Sequence, residues 1–183
     1  MKKLILLIVF LFTALAARQG TAESSSFNLA ALAGFSGLSA NNEFGSGYGA
    51  YGFGLRAGIP VSADWALSLE GTYSNTTPGG VSPGFTSSFI LTSASLDYLY
   101  FVLPTKINLF AGPKIGLGMT SAGGASGSSL AYGGEVGADF FTSPSFSIGL
   151  ELIYVAVGAP TLNGVSGSSG FSIQFLFPLK LRL

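Results

Sequence analysis

The stretch FSIQFLFPLKLRL, residues 171–183, decides how the rest of the chain is read. Its odd positions are all apolar: Phe171, Ile173, Phe175, Phe177, Leu179, Leu181 and Leu183. Ser172, Gln174, Lys180 and Arg182 stand between them. A period of two belongs to a strand with one oily and one polar face. Working back toward the N-terminus, the same period recurs seven times. Phe146, Ile148, Leu150, Leu152 and Tyr154 form one such row, and Leu130, Tyr132, Val136, Ala138 and Phe140 the one before it. Leu109, Ala111, Ile115, Leu117 and Met119 precede these, after Ile90, Leu96, Tyr98, Tyr100 and Val102. The first three rows are Phe27 to Phe35, Tyr51 to Ile59 and Trp65 to Tyr73, each on alternate positions. The intervening residues are Gly, Ser, Thr, Asn, Gln and most of the charges.

Alternation alone fits a soluble barrel with its oily face inward or a membrane barrel with that face against lipid. Composition separates the two. Only 9% of the 183 residues are charged, against roughly 25% in ordinary soluble domains. A soluble version would show water mainly Gly and Ser. Past residue 24 no apolar run is long enough for a membrane-spanning helix. The expected fold is therefore all-β, an eight-stranded antiparallel up-and-down transmembrane β-barrel. The chain has no Cys and no His, which removes thiolate metal sites, Ser-His-Asp triads and imidazole acid-base groups. No catalytic residue, cofactor or metal site is expected, and an enzyme is disfavoured. Without a basic run after the first three residues, nucleic acid is not an expected partner.

Lys2 and Lys3 precede an apolar run from Leu4 to about Ala17, followed by small residues, the order of a cleavable signal peptide. Cleavage is expected after Ala16 or Ala22. Residues 1–22 are accordingly assigned to the signal and 23–183 to the barrel. Loss of Lys2, Lys3 and Arg18 would leave five basic against eight acidic residues.

Connections between rows alternate in length. Residues 60–64, 104–107 and 142–145 are tight turns, whereas about 38–47, 75–88, 120–129 and 158–169 are longer and rich in Gly, Ser and Asn. Short turns at one end and long loops at the other are the pattern of outer-membrane barrels, with the long loops outside the cell.

Pairing the hairpins across the tight turns places the charges. Centring the first on Ala63 sets Arg56 opposite Glu70. A two-residue turn at Thr105 and Lys106 sets Asp97 opposite Lys114 and Phe101 opposite Phe110. Centring the third on Ser143 opposes Glu135 with Glu151, a costly pair of like charges unless a cation or water intervenes. All six charged residues point inward and form a mid-barrel lumen network. Phe101 and Phe110 are expected as a lumen plug near the periplasmic mouth.

The segment LDYLYFVLP, residues 96–104, with AGPKIG, residues 111–116, resembles the fourth and fifth strands of the small outer-membrane β-barrel family, of the OmpA, OmpX and OmpW kind. The likeness extends over about residues 25–183. It implies a location in the cell outer membrane, contact with its lipid, and insertion by the barrel-assembly machinery, read from the last strand. Members of that family usually end in Phe; this chain ends in Leu183 and carries Pro178 where Gly is common. The expected function is a structural or surface-interaction role through four long extracellular loops whose partner the residues do not name. The alternative is a narrow channel or carrier for ions or small apolar molecules.

Overall fold

The structure, a computed structural model, describes residues 27–40, 47–76, 87–103, 106–122, 125–159, 161–162, 165–166 and 169–183. The expected signal peptide, residues 1–22, lies outside them. The chain forms β1 (Asn28–Ala40), β2 (Gly47–Pro60), β3 (Trp65–Thr76), β4 (Ser87–Leu103) and β5 (Ile107–Ala122). There follow β6 (Ala125–Ser143), β7 (Phe146–Val157), two short strands β8 (Thr161–Leu162) and β9 (Val165–Ser166), and β10 (Gly170–Arg182). Eight of these close into one antiparallel barrel in the order β1-β10-β7-β6-β5-β4-β3-β2, and β8 pairs with β9 apart from it.

The closure is staggered. From Arg56 the ladder leads through Glu70, Ser93, Gly116, Ala131, Val157 and Gly170 to Ala40. Arg56 itself pairs with Ala30, so the circuit returns ten residues further along β1. A stagger of this kind is what tilts the strands and lets eight of them enclose a bore just wide enough for side chains.

The wall turns its oily face outward. Leu55, Ile115, Leu117, Val136, Leu152 and Phe177 are exposed, while Arg56, Lys114, Glu135 and Glu151 beside them are buried. Ile59, outward by parity at the end of β2, is the exception and is buried. In water this surface would be a liability; in hydrocarbon it is the favourable one. By the register, Trp65, Tyr98, Tyr100 and Phe140 lie toward the short-turn end and Phe35, Tyr51, Phe53, Tyr73 and Tyr154 toward the other. Trp65 meets Tyr98 edge-on at 5.2 Å, and Phe53 meets Tyr73 at 5.2 Å. The two rows are separated by roughly 20 Å at about 3.3 Å per residue and a tilt of about 40°. Aromatic girdles at about this spacing flank the apolar band of membrane barrels.

Three expectations need correction. In the β4–β5 hairpin Ser95, not Asp97, pairs with Lys114, and Leu99, not Phe101, pairs with Phe110. Leu103 pairs with Ile107 and an irregularity lies between Phe101 and Leu103, so the register runs two residues from that of a turn at Thr105 and Lys106. In the β6–β7 hairpin Glu135 pairs with Ile153 and Glu151 with Gly137. There the chain reverses at Pro144 and Ser145, with a bulge between Phe141 and Ser143 taking up the extra residue. Both slips are by two residues, and a slip of two keeps every side chain on its face. Finally, the expected long loop at 120–129 is mostly ladder: Thr120 pairs with Gly127, Ser121 with Ser126 and Ala122 with Ala125. Small residues continue a strand pair as readily as they fill a loop. The long loops expected near 38–47 and 75–88 fall largely outside the described residues.

Two prolines interrupt the ladder at mid-height. Pro178 has no partner on β7 and Pro113 none on β4, although each is paired on its other side, with Leu32 and Gly134 respectively. Proline has no amide proton to give the strand it would have faced.

Candidate functional site in the barrel lumen

The inward positions of neighbouring strands bring the charges to one level. Arg56 on β2 and Glu70 on β3 are directly paired, and Arg56 Nε donates to Glu70 Oε2 at 2.9 Å. The same guanidinium crosses the bore: its Nη2 contacts Glu70, Glu151 on β7, and Glu135 on β6 at 3.0 Å. Lys114 on β5 closes the group, 2.6 Å from Glu135 and 3.1 Å from Glu70. These side chains are at most 2% exposed. Three carboxylates that would repel one another therefore surround a shared pair of cations, which is how buried charge is tolerated. Glu70, Glu135 and Glu151 lie close enough to one another to ligate a metal ion, but Arg56 occupies the position between them.

Asp97 sits at the edge of this knot, its carboxyl against that of Glu135. Its Oδ2 accepts from Ser68 at 3.0 Å and Ser95 at 3.2 Å, and no Lys or Arg nitrogen bonds it. Below, toward the short turns, is a second pair that sequence reasoning did not single out: Lys180 donates to Asp139 at 2.7 Å. The Lys180 ammonium also lies 4.4 Å from the centre of the Phe110 ring, and Arg182 lies 4.0 Å from that of Phe141. Alternation of Lys180 and Arg182 with apolar residues in the closing strand was the signal for it.

A cavity of about 60 Å³ opens beneath the charged level. Its lining includes Arg56, Asp97, Asn108, Asp139, Phe101 and Phe110. Phe110 is buried and Phe101 half-buried at this end. Phe110 lies across Gly137 of the adjacent strand, where a Cβ would strike its ring. Gly112 leaves the room in which Asp97 sits, and Gly118 the room for Phe89. Glycine is used here for close approach rather than for an unusual backbone.

On the long-loop side of the charges the bore changes character. Phe89 and Leu91 of β4, Ile153 and Val155 of β7 and Leu176 of β10 are at most 1% exposed and form an apolar block with Leu32, Ala131 and Val157. Hydroxyls and the Gln174 amide fill the space around it.

No protein-family model matches the chain, and no curated protein does. Solved structures do. Neisserial surface protein A superposes with a TM-score of 0.72 at 17% identity, over 88% of this chain and 100% of that one. A major outer membrane protein from Thermus thermophilus gives 0.55 at 14% identity, covering 88% of this chain and 100% of that one. The outer membrane protein OprG from Pseudomonas aeruginosa gives 0.52 at 10%, covering 87% and 97%. At these identities the likeness is one of fold: the chain has the eight-stranded barrel that those outer-membrane proteins share.

Proposed function

We propose that the protein is an integral outer-membrane barrel with a structural or surface-interaction role, exercised through the connections at its long-loop end. The observation that carries this reading is the apolar block above the charged level. Phe89, Leu91, Ile153, Val155 and Leu176 leave no exposed surface of note, and a path for water or ions would have to pass them. Below them the crossing of Arg56 to three strands ties opposite walls together. A barrel filled in this way serves as a rigid support. The surface role also accords with the fold shared with Neisserial surface protein A. The outward apolar face and its girdles suit outer-membrane lipid as the solvent, the short turns then being periplasmic. The alternating closing strand suits recognition by the barrel-assembly machinery.

The alternative, a narrow channel or carrier, draws on the cavity and the charges lining it. That cavity ends at the level of Arg56 and Asp97, beneath the apolar block. Recordings on the purified protein in planar bilayers test the choice. The expected record is a flat baseline; a persistent, voltage-stable conductance overturns the scaffold reading.

A further inference from the structure

The inward charges do not balance. Arg56, Lys114, Lys180 and Arg182 face Glu70, Asp97, Glu135, Asp139 and Glu151, four positive against five negative among the described residues. Every one of these carboxylates except Asp97 has a basic nitrogen within 4.0 Å. Asp97 is 3% exposed, and the hydroxyls of Ser68 and Ser95 both donate to its Oδ2, which leaves Oδ1 without a donor.

What lies against that oxygen is a second carboxyl. Asp97 leans over Gly112 of β5, where a Cβ would come 2.5 Å from Oδ1, and the partner of Gly112 on β6 is Glu135. The carboxyls of Asp97 and Glu135 meet there. Glu135 is held on its Oε2 by Arg56 at 3.0 Å and Lys114 at 2.6 Å, so its charge is already met. Two ionised carboxylates in contact repel, and a buried acceptor oxygen requires a donor. A proton on Asp97 supplies the donor, removes the repulsion and brings the inward charges to four against four. Around the contact stand Arg56 of β2, Glu70 of β3, Lys114 of β5 and Glu151 of β7, with Asp139 of β6 and Lys180 and Arg182 of β10 below them. Glu151 also lies against Glu135, but Arg56 reaches it directly. The missing charge therefore belongs at Asp97.

We infer that the lumen contains a proton-binding site, in which Asp97 holds one proton as a neutral acid and donates it to Glu135. The proton exchanges with solution at the short-turn side, through the cavity that Asp97 lines. Its removal sets two carboxylates against each other between β4 and β6, so the barrel loosens as that solution turns alkaline. The folded barrel keeps a proton that the unfolded chain releases, and stability falls as pH rises. This site is independent of any role of the long-loop end, and the proton need not cross the barrel, since the apolar block lies beyond it.

The test uses the full barrel refolded in an uncharged detergent. The sequence has neither His nor Cys, so between about pH 6 and about pH 9 the α-amino group is the only other group expected to titrate. Across that range the thermal unfolding midpoint of the unmodified protein should fall by several degrees. Asp97→Asn keeps the shape and gives Glu135 an amide proton that alkali does not remove, so its midpoint should stay level. Asp64→Asn, at an exposed turn, should keep the fall. Infrared spectra of the unmodified protein at about pH 7, where exposed carboxyls are ionised, should show the carbonyl band of a protonated acid, shifted in D2O and missing from Asp97→Asn. If Asp97→Asn does not refold, as judged by gel mobility before and after heating, Ser95→Ala decides: it removes a donor to the charged carboxylate, so the fall should move to higher pH. A level midpoint in the unmodified protein, the absence of its acid band, or an undiminished fall in Asp97→Asn overturns the inference, as does, should that variant not refold, an unmoved fall in Ser95→Ala.

Discussion

The two halves of the lumen are built on the same strands and filled in opposite ways. Toward the short turns the bore holds nine charged side chains, aromatic rings and a cavity. Toward the long connections it holds Phe89, Leu91, Ile153, Val155 and Leu176 among hydroxyls, with no charge at all among the described residues. The difference teaches that lipid constrains only one face of such a wall. Outward positions must be apolar at every level, whereas an inward position has only to fill space and satisfy its polar atoms. The charged half does this through contacts that each depend on the others. The apolar half fills its space through shape, with the Gln174 amide and several hydroxyls around it lacking a protein partner.

That contrast predicts different responses to damage. The largest effect is expected for Arg56→Met, which leaves three buried carboxylates facing one another; removing one partner of a buried ionic group costs about 3–5 kcal/mol. Urea unfolding in lipid vesicles would measure it, and a second change, Glu151→Gln, should restore part of the loss. In the other half Leu91→Ala should cost about 2–5 kcal/mol, according to how far the neighbours collapse into the space. Here no second-site neutralisation should help, and a rescue by Glu151→Gln would break the distinction. On the outer face Leu69→Arg should cost about 2–4 kcal/mol at mid-membrane, while Ser68→Thr beside it should be nearly neutral because the hydroxyl toward Asp97 is kept. The same assay showing the reverse ranking would exchange inside for outside. Smallest of the destabilising changes is Gly118→Ala, where the new Cβ would lie 2.8 Å from the Phe89 ring. Overpacking there should cost about 1–3 kcal/mol, and combining it with Phe89→Leu should be milder than adding the two single effects.

The outer face was legible because lipid imposes a rule on it. Leu55, Ile115, Leu152 and Phe177 can be assigned from alternation without knowing any partner strand. Arg56 opposite Glu70 was legible for a similar reason: the turn at 61–64 is compact, with Val61 and Ser62 amides both bonding the Trp65 carbonyl at 2.8 and 3.1 Å. The other two hairpins carry a bulge just inside the turn, and residues such as Thr142 and Val102 give no local sign that they add one. The resulting slip moves Glu135 off Glu151 yet keeps both in the lumen, so the level of the charges was readable and their contacts were not. Arg56 reaching Glu135 and Glu151 across the bore depends on the stagger of closure, a property of all eight strands together. The apolar block was legible in part: alternation alone puts Ile153, Val155 and Leu176 on inward positions, whereas their meeting with Phe89 and Leu91 of β4 in one block depends on how all eight strands close.

The prolines at 113 and 178 leave gaps in the hydrogen-bonded seams between β4 and β5 and between β7 and β10. Those two seams divide the circumference into a panel of three strands, β5 to β7, and a panel of five. A cylinder nicked at one level on each of two seams, and paired above and below, is softest at those points when squeezed across them. Changes in lateral pressure within the bilayer would therefore be taken up as a slight ovalisation between the panels, with the Arg56 crossing, which joins β2 and β3 of one panel to β6 and β7 of the other, acting as the tie-rod that limits it.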